Sequence, residues 1–418
     1  MLAGGLGTPG SVSRNPSTRR LESRRPSDGG IALSRIRIAV DAHAIGRRQT
    51  GNEVYVRSLI QRYPRLAPEM DFIGYICSEE AREWAPASFE LAKVAGNPFV
   101  RLGYDLSAKL RRDRPDVVHV QYTAPLACPA PIVVTIHDVS YLDHPQYLPY
   151  TRAKQLQITV RRTVRRAAKI ITVSEFSRQR IAAAYGLDPA EIVVTPNASQ
   201  DHFRLMNRES AMRKVREKLG IDRPYLLNVG DLHPRKNQIG MVRAFRELLA
   251  AHPELPHLLV MAGKHTWFAP RVIEEVRRCG LQERVVFTRF VDDEFLPTLY
   301  NAADLFVFPS FYEGFGLPAI EAMACGRPVV CSGATALPEV VDGAALLFDP
   351  ASTGEQMRAM RDVLIDRELS QRMEKKSLQR SKFFDWRETA QRTLDVYQEV
   401  AGERRQTRKV REKELVVR

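Results

Sequence analysis

The stretch that most constrains the fold of this chain runs from residue 303 to residue 333 and reads ADLFVFPSFYEGFGLPAIEAMACGRPVVCSG. Its first apolar run, Leu305 to Phe308, has the length of a buried strand, and Pro309 ends it because proline cannot continue a ladder of hydrogen bonds. Pro318 suits the first turn of a helix, and Gly326 suits the end of that helix. The stretch therefore predicts a strand, a loop and a helix in succession.

The loop ahead of this helix combines the marks of an anion site with two carboxylates. Gly314 and Gly316 can adopt positive φ and let another molecule approach the backbone, while the first amides of the helix have no partner within it. Glu313 and Glu321 can accept hydrogen bonds from hydroxyl groups. Either glutamate alone is more simply explained as a complement to the helix dipole. Together with the glycines and a second strand at Val329 to Cys331, they favour a ligand with phosphates and vicinal hydroxyls, such as a nucleotide sugar.

At these residues the sequence resembles family 4 of the retaining glycosyltransferases, which share the two-domain GT-B fold. The segment EGFGLPAIEAMACGRPVV is similar to the family signature of two glutamates separated by seven residues. The resemblance implies that Glu313 lies near the transferred sugar and the phosphates, together with Gly314, Phe315 and Gly316. It further implies that Glu321 holds the ribose hydroxyls.

The composition is that of an ordinary globular protein of 418 residues, of which 44% are hydrophobic and 27% are charged. No apolar run approaches the roughly 18 residues of a membrane span. The N-terminus has no apolar signal core, so we expect a cytoplasmic protein, with the inner face of the plasma membrane as a peripheral location. The five cysteines form no C-x-x-C pair, which predicts reduced, buried thiols and no metal site.

The formal net charge of +14 is shared between the tails and the core. Residues 1–35 and 403–418 each contribute +4, which leaves +6 for the rest of the chain. Nucleic acid, anionic lipid and nucleotide phosphates are all partners that such a charge can attract. Because no nucleic-acid motif appears, we expect no nucleic-acid partner.

Alternating apolar runs and amphipathic helices predict an α/β architecture of two doubly wound, Rossmann-like domains that face a central cleft. The apolar runs that we interpret as strands begin near residues 36, 71, 116, 132, 170 and 192 in the first half and near residues 225, 258, 285, 305, 329 and 347 in the second. Active sites in such folds lie at the carboxyl ends of the strands.

The domain boundaries follow from changes in composition. Residues 1–34 are rich in Gly, Pro, Ser and Arg, so we expect them to be disordered. We assign residues 36–205 to an N-terminal acceptor domain and residues 206–383 to a C-terminal domain that binds the nucleotide sugar. The resemblance implies that a helix over residues 384–402 crosses back to the first domain, ahead of a charged tail at 403–418.

Three further candidate residues lie in the first half. Gly51 belongs to a loop that the family places close to the donor, although Asn52 and Glu53 stand where a second glycine often occurs. His137 follows the run VVTI and resembles the histidine of the family's T-x-H-D segment, which implies a contact with the sugar or the acceptor. A lone histidine after a strand is more often structural. Ser174 is interpreted as the N-cap of the next helix.

Arg235 and Lys236 lie between a strand and a helix, where two adjacent cations can neutralise a diphosphate leaving group. One such pair on a basic protein is weak evidence by itself. The segment also resembles the family's G-x-x-x-x-R-K-N segment, which implies that both side chains hold the donor diphosphate. Phe290 occupies the place at which the family's backbone meets the nucleobase.

The resemblance implies a retaining hexosyltransferase that moves a sugar from a nucleoside diphosphate sugar to a hydroxyl of a glycan or lipid-linked acceptor. GDP-mannose is favoured over UDP-glucose and UDP-N-acetylglucosamine by general similarity only. We expect no metal and no cofactor, because Arg235, Lys236 and the helix amides supply the positive charge that a divalent ion supplies elsewhere. Glu313 and His137 are expected to orient the sugar and not to attack it.

Other functions are compatible with the sequence alone. A hydrolase or phosphorylase would release sugar without an acceptor, a catalytically silent nucleotide-sugar binder would act as a scaffold for glycan assembly, and a nucleic-acid-binding protein is supported by charge only. The basic stretches Arg101 to Arg114 and Arg152 to Lys169 are most simply solvated faces. Alternatively, they hold the protein against anionic lipid, with Arg161, Arg165 and Lys169 on one face.

Overall fold

The structure is a computed structural model that describes residues 35–46 and 50–416. The tail at residues 1–34, which the sequence predicts to be disordered, lies outside the described residues.

The described residues form two parallel β-sheets. The strands of the first sheet are β1 (Arg37–Asp41), β2 (Asp71–Ile76), β3 (Glu90–Lys93), β4 (Val117–Gln121), β5 (Ile132–Thr135), β6 (Ala167–Thr172) and β7 (Ile192–Val194). The strands of the second are β8 (Tyr225–Val229), β9 (Leu258–Ala262), β10 (Val285–Arg289), β11 (Leu305–Phe308), β12 (Val329–Ser332) and β13 (Leu346–Phe348). Their orders are β3-β2-β1-β4-β5-β6-β7 and β10-β9-β8-β11-β12-β13, which confirms the predicted doubly wound α/β fold.

Helices connect the strands and cover the sheets. Those of the first half are α1 (Thr50–Ile60), α2 (Tyr63–Leu66), α3 (Pro98–Val100), α4 (Leu106–Asp113), α5 (Ser140–Asp143), α6 (Tyr150–Val164) and α7 (Glu175–Tyr185). Those of the second half are α8 (Arg208–Leu219), α9 (Gln238–Ala251), α10 (Ala269–Arg278), α11 (Leu296–Ala302), α12 (Leu317–Ala324), α13 (Leu337–Val341), α14 (Thr353–Ile365), α15 (Arg367–Ser381) and α16 (Trp386–Val416).

Successive residues of the central strands are buried on opposite faces of their sheet. In β1, Ile38 and Val40 belong to the apolar core on one face, and Ala39 belongs to the core on the other. Strands buried on both faces are near-continuous apolar runs, which makes them visible in the sequence. Strand β3, ELAK, is not predicted, because this edge strand is short, partly exposed and charged at both ends.

Helix α16 returns to the first sheet, as the resemblance implies. Trp386, Leu394 and Tyr397 are buried in the same core as Ile38 and Val40. This helix therefore completes a core that begins almost 350 residues earlier in the chain.

The far end of α16 differs from the prediction of an exposed, charged tail after residue 402. The helix continues without a break to Val416. Arg404 donates hydrogen bonds to the carbonyl oxygens of Pro115 and Asp116 at 2.7 and 2.9 Å. A cation within the predicted tail thus anchors the helix to the chain just ahead of β4.

The cysteines are less buried than the sequence predicts. Cys325 and Cys331 are buried, whereas Cys77, Cys128 and Cys279 are only partly buried. Within the described part of the chain, no helix combines the length and the apolar character that crossing a bilayer requires.

The hydroxyl of Tyr397 joins α16 to the first sheet. It lies 2.9 Å from the hydroxyl of Tyr63 and also hydrogen bonds with Nδ1 of His119. Tyr397→Phe is expected to lower the free energy of unfolding by about 1 to 3 kcal/mol, because two buried polar groups lose a partner. Urea denaturation measures this loss. Tyr104→Phe, which alters an exposed side chain, is the matched control, and equal losses in both variants would contradict the anchoring role.

Candidate functional site

The candidate site lies where neighbouring strands of the second sheet end. Strand β8 leads into a loop that carries Arg235 and Lys236 to α9, and β11 leads into a loop that carries Glu313 to α12. Because β8 and β11 are paired, their loops lie side by side at the switch point of the sheet.

The two predicted cations and the first predicted glutamate are in direct contact. Nη1 of Arg235 donates to Oε2 of Glu313 at 2.9 Å, and Nζ of Lys236 donates to Oε1 at 2.7 Å. Nη1 of Arg235 also donates to the carbonyl oxygen of Tyr312 at 2.7 Å. We call Arg235, Lys236 and Glu313 the charge cluster.

Glu313 is buried and the two cations of the charge cluster are partly buried, and the three charges fix each other's protonation. Burial alone would raise the pKa of Glu313, but the neighbouring Arg235 and Lys236 outweigh it and hold that pKa at about 2. Burial lowers the pKa of Lys236, against the attraction of Glu313. Glu313 is therefore ionised at every physiological pH and is unsuited to donate a proton.

His137 approaches the charge cluster from the first sheet. It lies just beyond β5, where its Nε2 is 2.8 Å from Oε1 of Gln121 and its ring meets the edge of Tyr55 with centroids 4.8 Å apart. Burial lowers the pKa of His137 to about 4, so the imidazole is neutral at pH 7. A Cβ on Gly314 would lie 2.3 Å from the carbonyl oxygen of His137, so only glycine fits beside it.

Two serines of the first half hold this contact together. Ser174 caps α7, as predicted, and its hydroxyl also donates to the carbonyl oxygen of Gly314 at 2.6 Å. The hydroxyl of Ser177 lies 2.9 Å from the carbonyl oxygen of His137 and 3.1 Å from that of Gly314. The serines thus join the loop that carries Glu313 to the strand end that carries His137.

The start of α12 offers fewer amides than the sequence suggests. Gly316 precedes the helix with φ of +116°, and no side chain caps it. Pro318 is the second helical residue and has no N–H, and the amide of Ala319 already donates to the oxygen of Gly316 at 2.9 Å. The amides that can face an anion are therefore those ahead of Pro318.

Glu321 lies inside α12 and is not part of the charge cluster. Its Oε2 accepts a hydrogen bond from the hydroxyl of Tyr300 at 2.9 Å, and the side chain is buried. Burial raises the pKa of Glu321 to about 7, and the negative charge of Asp293 adds to the rise. This carboxyl therefore changes its charge near neutral pH.

The remaining predicted site residues, Phe315, Gly51 and Phe290, lie in three different environments. The side chain of Phe315 is buried against Phe384, with ring centroids 5.4 Å apart, so only its backbone can meet a ligand. Gly51 lies in the first turn of α1, where a Cβ would have open space. Phe290 is 38% exposed and follows Arg289, whose φ is +61°.

Sequence reasoning missed several residues that shape the site. Tyr300 and Ser177 carried no motif of their own, and Asp143 accepts a hydrogen bond from the hydroxyl of Tyr312 at 3.0 Å. None of these three residues has a signal of its own in the sequence, because their roles depend on packing between distant elements.

In comparisons with known proteins, both halves of the chain match glycosyltransferase family models. The model of Glycosyl transferases group 1 matches residues 211–380, and that of Glycosyltransferase Family 4 matches residues 50–199. O-antigen chain mannosyltransferase B of Escherichia coli is 33% identical over 265 residues, which are 63% of this chain and 69% of the relative. The serotype-specific mannosyltransferase WbdA of Escherichia coli is 27% identical over 302 residues, which are 68% of this chain but only 37% of that relative.

A solved structure supports the same fold. The sucrose-phosphate synthase of Thermosynechococcus elongatus superposes with a TM-score of 0.71 at 19% identity, over 88% of this chain and 100% of the other. At this identity the likeness concerns the fold alone.

The raised pKa of Glu321 makes a prediction about stability. The folded chain holds a proton there that the unfolded chain releases near pH 4.5, so this residue lowers stability as the pH rises from about 4.5 to about 7. Between pH 5 and pH 8, Glu321→Gln should gain about 2.5 kcal/mol of unfolding free energy relative to the parent chain. Urea denaturation of both proteins at the two pH values measures this gain, and a pH-independent difference would refute it. Glu247→Gln, at an exposed position of α9, is the control.

Proposed function

This chain belongs to the family 4 glycosyltransferases of the GT-B fold and is a hexosyltransferase, and we propose that it is a retaining, metal-independent enzyme that transfers mannose from GDP-mannose to a glycan or glycolipid acceptor. The observation that carries the proposal is the charge cluster at the switch point of the second sheet.

The charge cluster is suited to a diphosphate. One carboxylate is in contact with two partly buried cations, so an anion that enters beside them meets two positively charged side chains. Arg235 uses Nη1 for both of its hydrogen bonds, and the planar guanidinium retains other N–H groups for phosphate oxygens. We infer that Arg235, Lys236 and the amides ahead of Pro318 stabilise the departing diphosphate without a divalent ion.

The same geometry supports retention without a protein nucleophile. Both oxygens of Glu313 are engaged by cations, and its low pKa leaves it no proton to give. In the step that we propose, the bond from the anomeric carbon to the phosphate oxygen breaks and the acceptor hydroxyl bonds to that carbon from the same face. The acceptor proton passes to the departing phosphate oxygen. Glu313 and the neutral His137 orient the sugar.

The surroundings of Glu321 support our proposal that it binds the ribose. Tyr300 engages one of its oxygens, and the other remains for a hydroxyl of the nucleoside. An ionised carboxylate is the better acceptor, so its charge above pH 7 favours binding. The choice of GDP-mannose rests on the names of the mannosyltransferases that this chain resembles. Those names also favour an acceptor in O-antigen or related polysaccharide synthesis. The alternative, a catalytically silent scaffold, would require a site that binds the nucleotide sugar but is unable to release the diphosphate.

Donor binding in the presence of EDTA is the first test. GDP and GDP-mannose should raise the melting temperature of the chain, because a ligand that binds only the folded state stabilises it. Arg235→Ala and Lys236→Ala should each weaken the binding at least tenfold, since each removes a charge-assisted contact. Arg246→Ala, at an exposed position of α9, is the matched control.

Two outcomes would contradict this part of the proposal. A thermal shift that requires Mg²⁺ would refute metal independence, and a shift for uridine nucleotides alone would refute GDP-mannose. Product analysis by NMR completes the test, because an inverted anomeric centre would exclude a retaining mechanism.

We further propose that helix α6 contacts anionic membrane. One exposed stripe of this helix contains, in order along the chain, Tyr150, Lys154, Ile158, Arg161 and Arg165. Tyr150 is 75% exposed and Ile158 is 69% exposed, so large apolar side chains alternate with cations on this stripe. Such a combination suits the interface between lipid headgroups and acyl chains.

The structure corrects the predicted extent of this basic surface. Lys169 does not share the face of Arg161 and Arg165, because it lies in β6 and pairs with Glu399 at 2.8 Å. Arg166 donates to the carbonyl oxygen of Leu126 at 3.1 Å, and Arg162 donates to the same atom, so both have structural roles. Arg101, in the other basic stretch, is buried.

Membrane contact is tested by reversing three charges of the α6 stripe. The variant Lys154→Glu, Arg161→Glu, Arg165→Glu should bind vesicles that contain phosphatidylglycerol at least tenfold less than the parent chain, because each cation near such a surface contributes about 1 kcal/mol. The control is Arg213→Glu, Lys214→Glu, Arg216→Glu, which makes the same charge change on exposed positions of α8. Equal sedimentation of both variants with the vesicles would refute the contact.

A further inference from the structure

A row of aromatic rings leads away from the charge cluster and crosses from one half of the chain to the other. It consists of His144, Tyr147, His233 and Trp267, which we call the aromatic row. The rings of His144 and Tyr147 are stacked with centroids 5.2 Å apart, those of Tyr147 and His233 are 6.5 Å apart, and those of His233 and Trp267 are 6.4 Å apart.

The aromatic row is continuous with the charge cluster at two points. The amide of Arg235 donates to Nδ1 of His233 at 3.3 Å. The ring of His144 meets the edge of Tyr312, the residue before Glu313, with centroids 5.3 Å apart. The first and third rings of the row therefore lie beside the groups that, in the proposed function, hold the donor phosphates.

The outer end of the row is open. Trp267 is 57% exposed, although tryptophan is among the side chains that gain most from burial. It lies in the loop after β9, beside Phe268, and this loop is at the same edge of the sheet as the loops of Arg235 and Glu313. An exposed tryptophan that continues a line of rings out of a cleft marks a binding surface.

We propose that the aromatic row is a subsite for an acceptor glycan of several sugar residues. A hexose ring has a face of C–H groups, which packs on an aromatic ring, and a rim of hydroxyls, which hydrogen bonds to neighbouring polar groups. The rings of the row follow one another at distances comparable to the length of one hexose residue. A nucleoside would occupy one or two of these positions, whereas a chain of sugars can occupy the whole row.

This assignment rests on the proposed function and adds to it the direction in which the acceptor glycan lies. The sugar that reacts lies at the charge cluster, and the sugars behind it lie along His144, Tyr147, His233 and finally Trp267. The row has rings from both halves of the chain: two follow α5, and the other two follow β8 and β9. A glycan on the row would therefore bridge the halves while its terminal hydroxyl faces the donor.

The test compares acceptors of different length with the full chain. Methyl α-mannoside and linear α-linked manno-oligosaccharides of two to five residues are the probes, with GDP-mannose as the donor. We expect kcat/KM to rise with acceptor length in the parent chain. Trp267→Ala and Tyr147→Ala should each lower kcat/KM for the tetrasaccharide at least tenfold, through a higher KM. Neither substitution should change kcat/KM for methyl α-mannoside, or the KM of the donor, by more than twofold.

Fluorescence provides a reading that does not depend on turnover. Trp386 is buried and Trp84 lies under the guanidinium of Arg57 at 4.1 Å, so a tetrasaccharide on the row should alter chiefly the emission of Trp267. Trp267→Phe should abolish that change and retain the length preference. Phe383→Ala, which removes an aromatic ring of similar exposure elsewhere in the second half, is the control and should behave as the parent chain.

The outcomes separate the subsite from the activity. Transfer that does not depend on acceptor length, or that falls equally for short and long acceptors in Trp267→Ala, would overturn the subsite and leave the transferase standing. Saturable, length-dependent quenching of Trp267 without transfer from any donor would support the subsite and refute the proposed function.

Discussion

Two partly buried cations share one carboxylate at the switch point of the second sheet, and the arrangement of the site follows from that contact. Removing charges from water is costly, and Glu313 offsets part of this cost, with smaller contributions from Asp138 near Arg235 and Asp231 near Lys236. In the proposed function, a diphosphate binds to the N–H groups of these cations that Glu313 leaves available. The fold places this cluster where β8 and β11 end together, and the sheet beneath it is buried and rigid. The proposed ligand thus meets an electrostatic arrangement that the backbone already holds.

The two halves of the chain meet at this point through backbone groups. Gly314 is pressed against the carbonyl of His137, and the hydroxyls of Ser174 and Ser177 hold both carbonyls. Beside these polar contacts, the rings of Phe176 and Tyr312 pack across the same junction with centroids 5.7 Å apart. The join between α16 and the first sheet, by contrast, is apolar and extensive. Two different kinds of contact thus hold the halves together.

Much of the fold was legible in the sequence because buried parallel strands are continuous apolar runs, and both ends of β11 were predicted to the residue. Strand β3 and the far end of α16 were not predictable, because polar residues at an edge or on a long helix carry no periodic signal. In the site, motif and spacing gave Arg235, Lys236 and Glu313. Their mutual pairing was not visible, since it depends on strand order across almost 80 residues of sequence. The role of Tyr300 depends on packing alone.

The return of α16 to the first sheet has a consequence for how the protein is made. A ribosome releases the chain from its N-terminus, so all seven strands of the first sheet emerge long before Trp386, Leu394 and Tyr397 exist. Until then, one face of that sheet lacks the helix that seals it, while the whole second half is still being synthesised. During this interval the first half exposes apolar surface to water and is most prone to aggregate, so this is when chaperone binding protects it most.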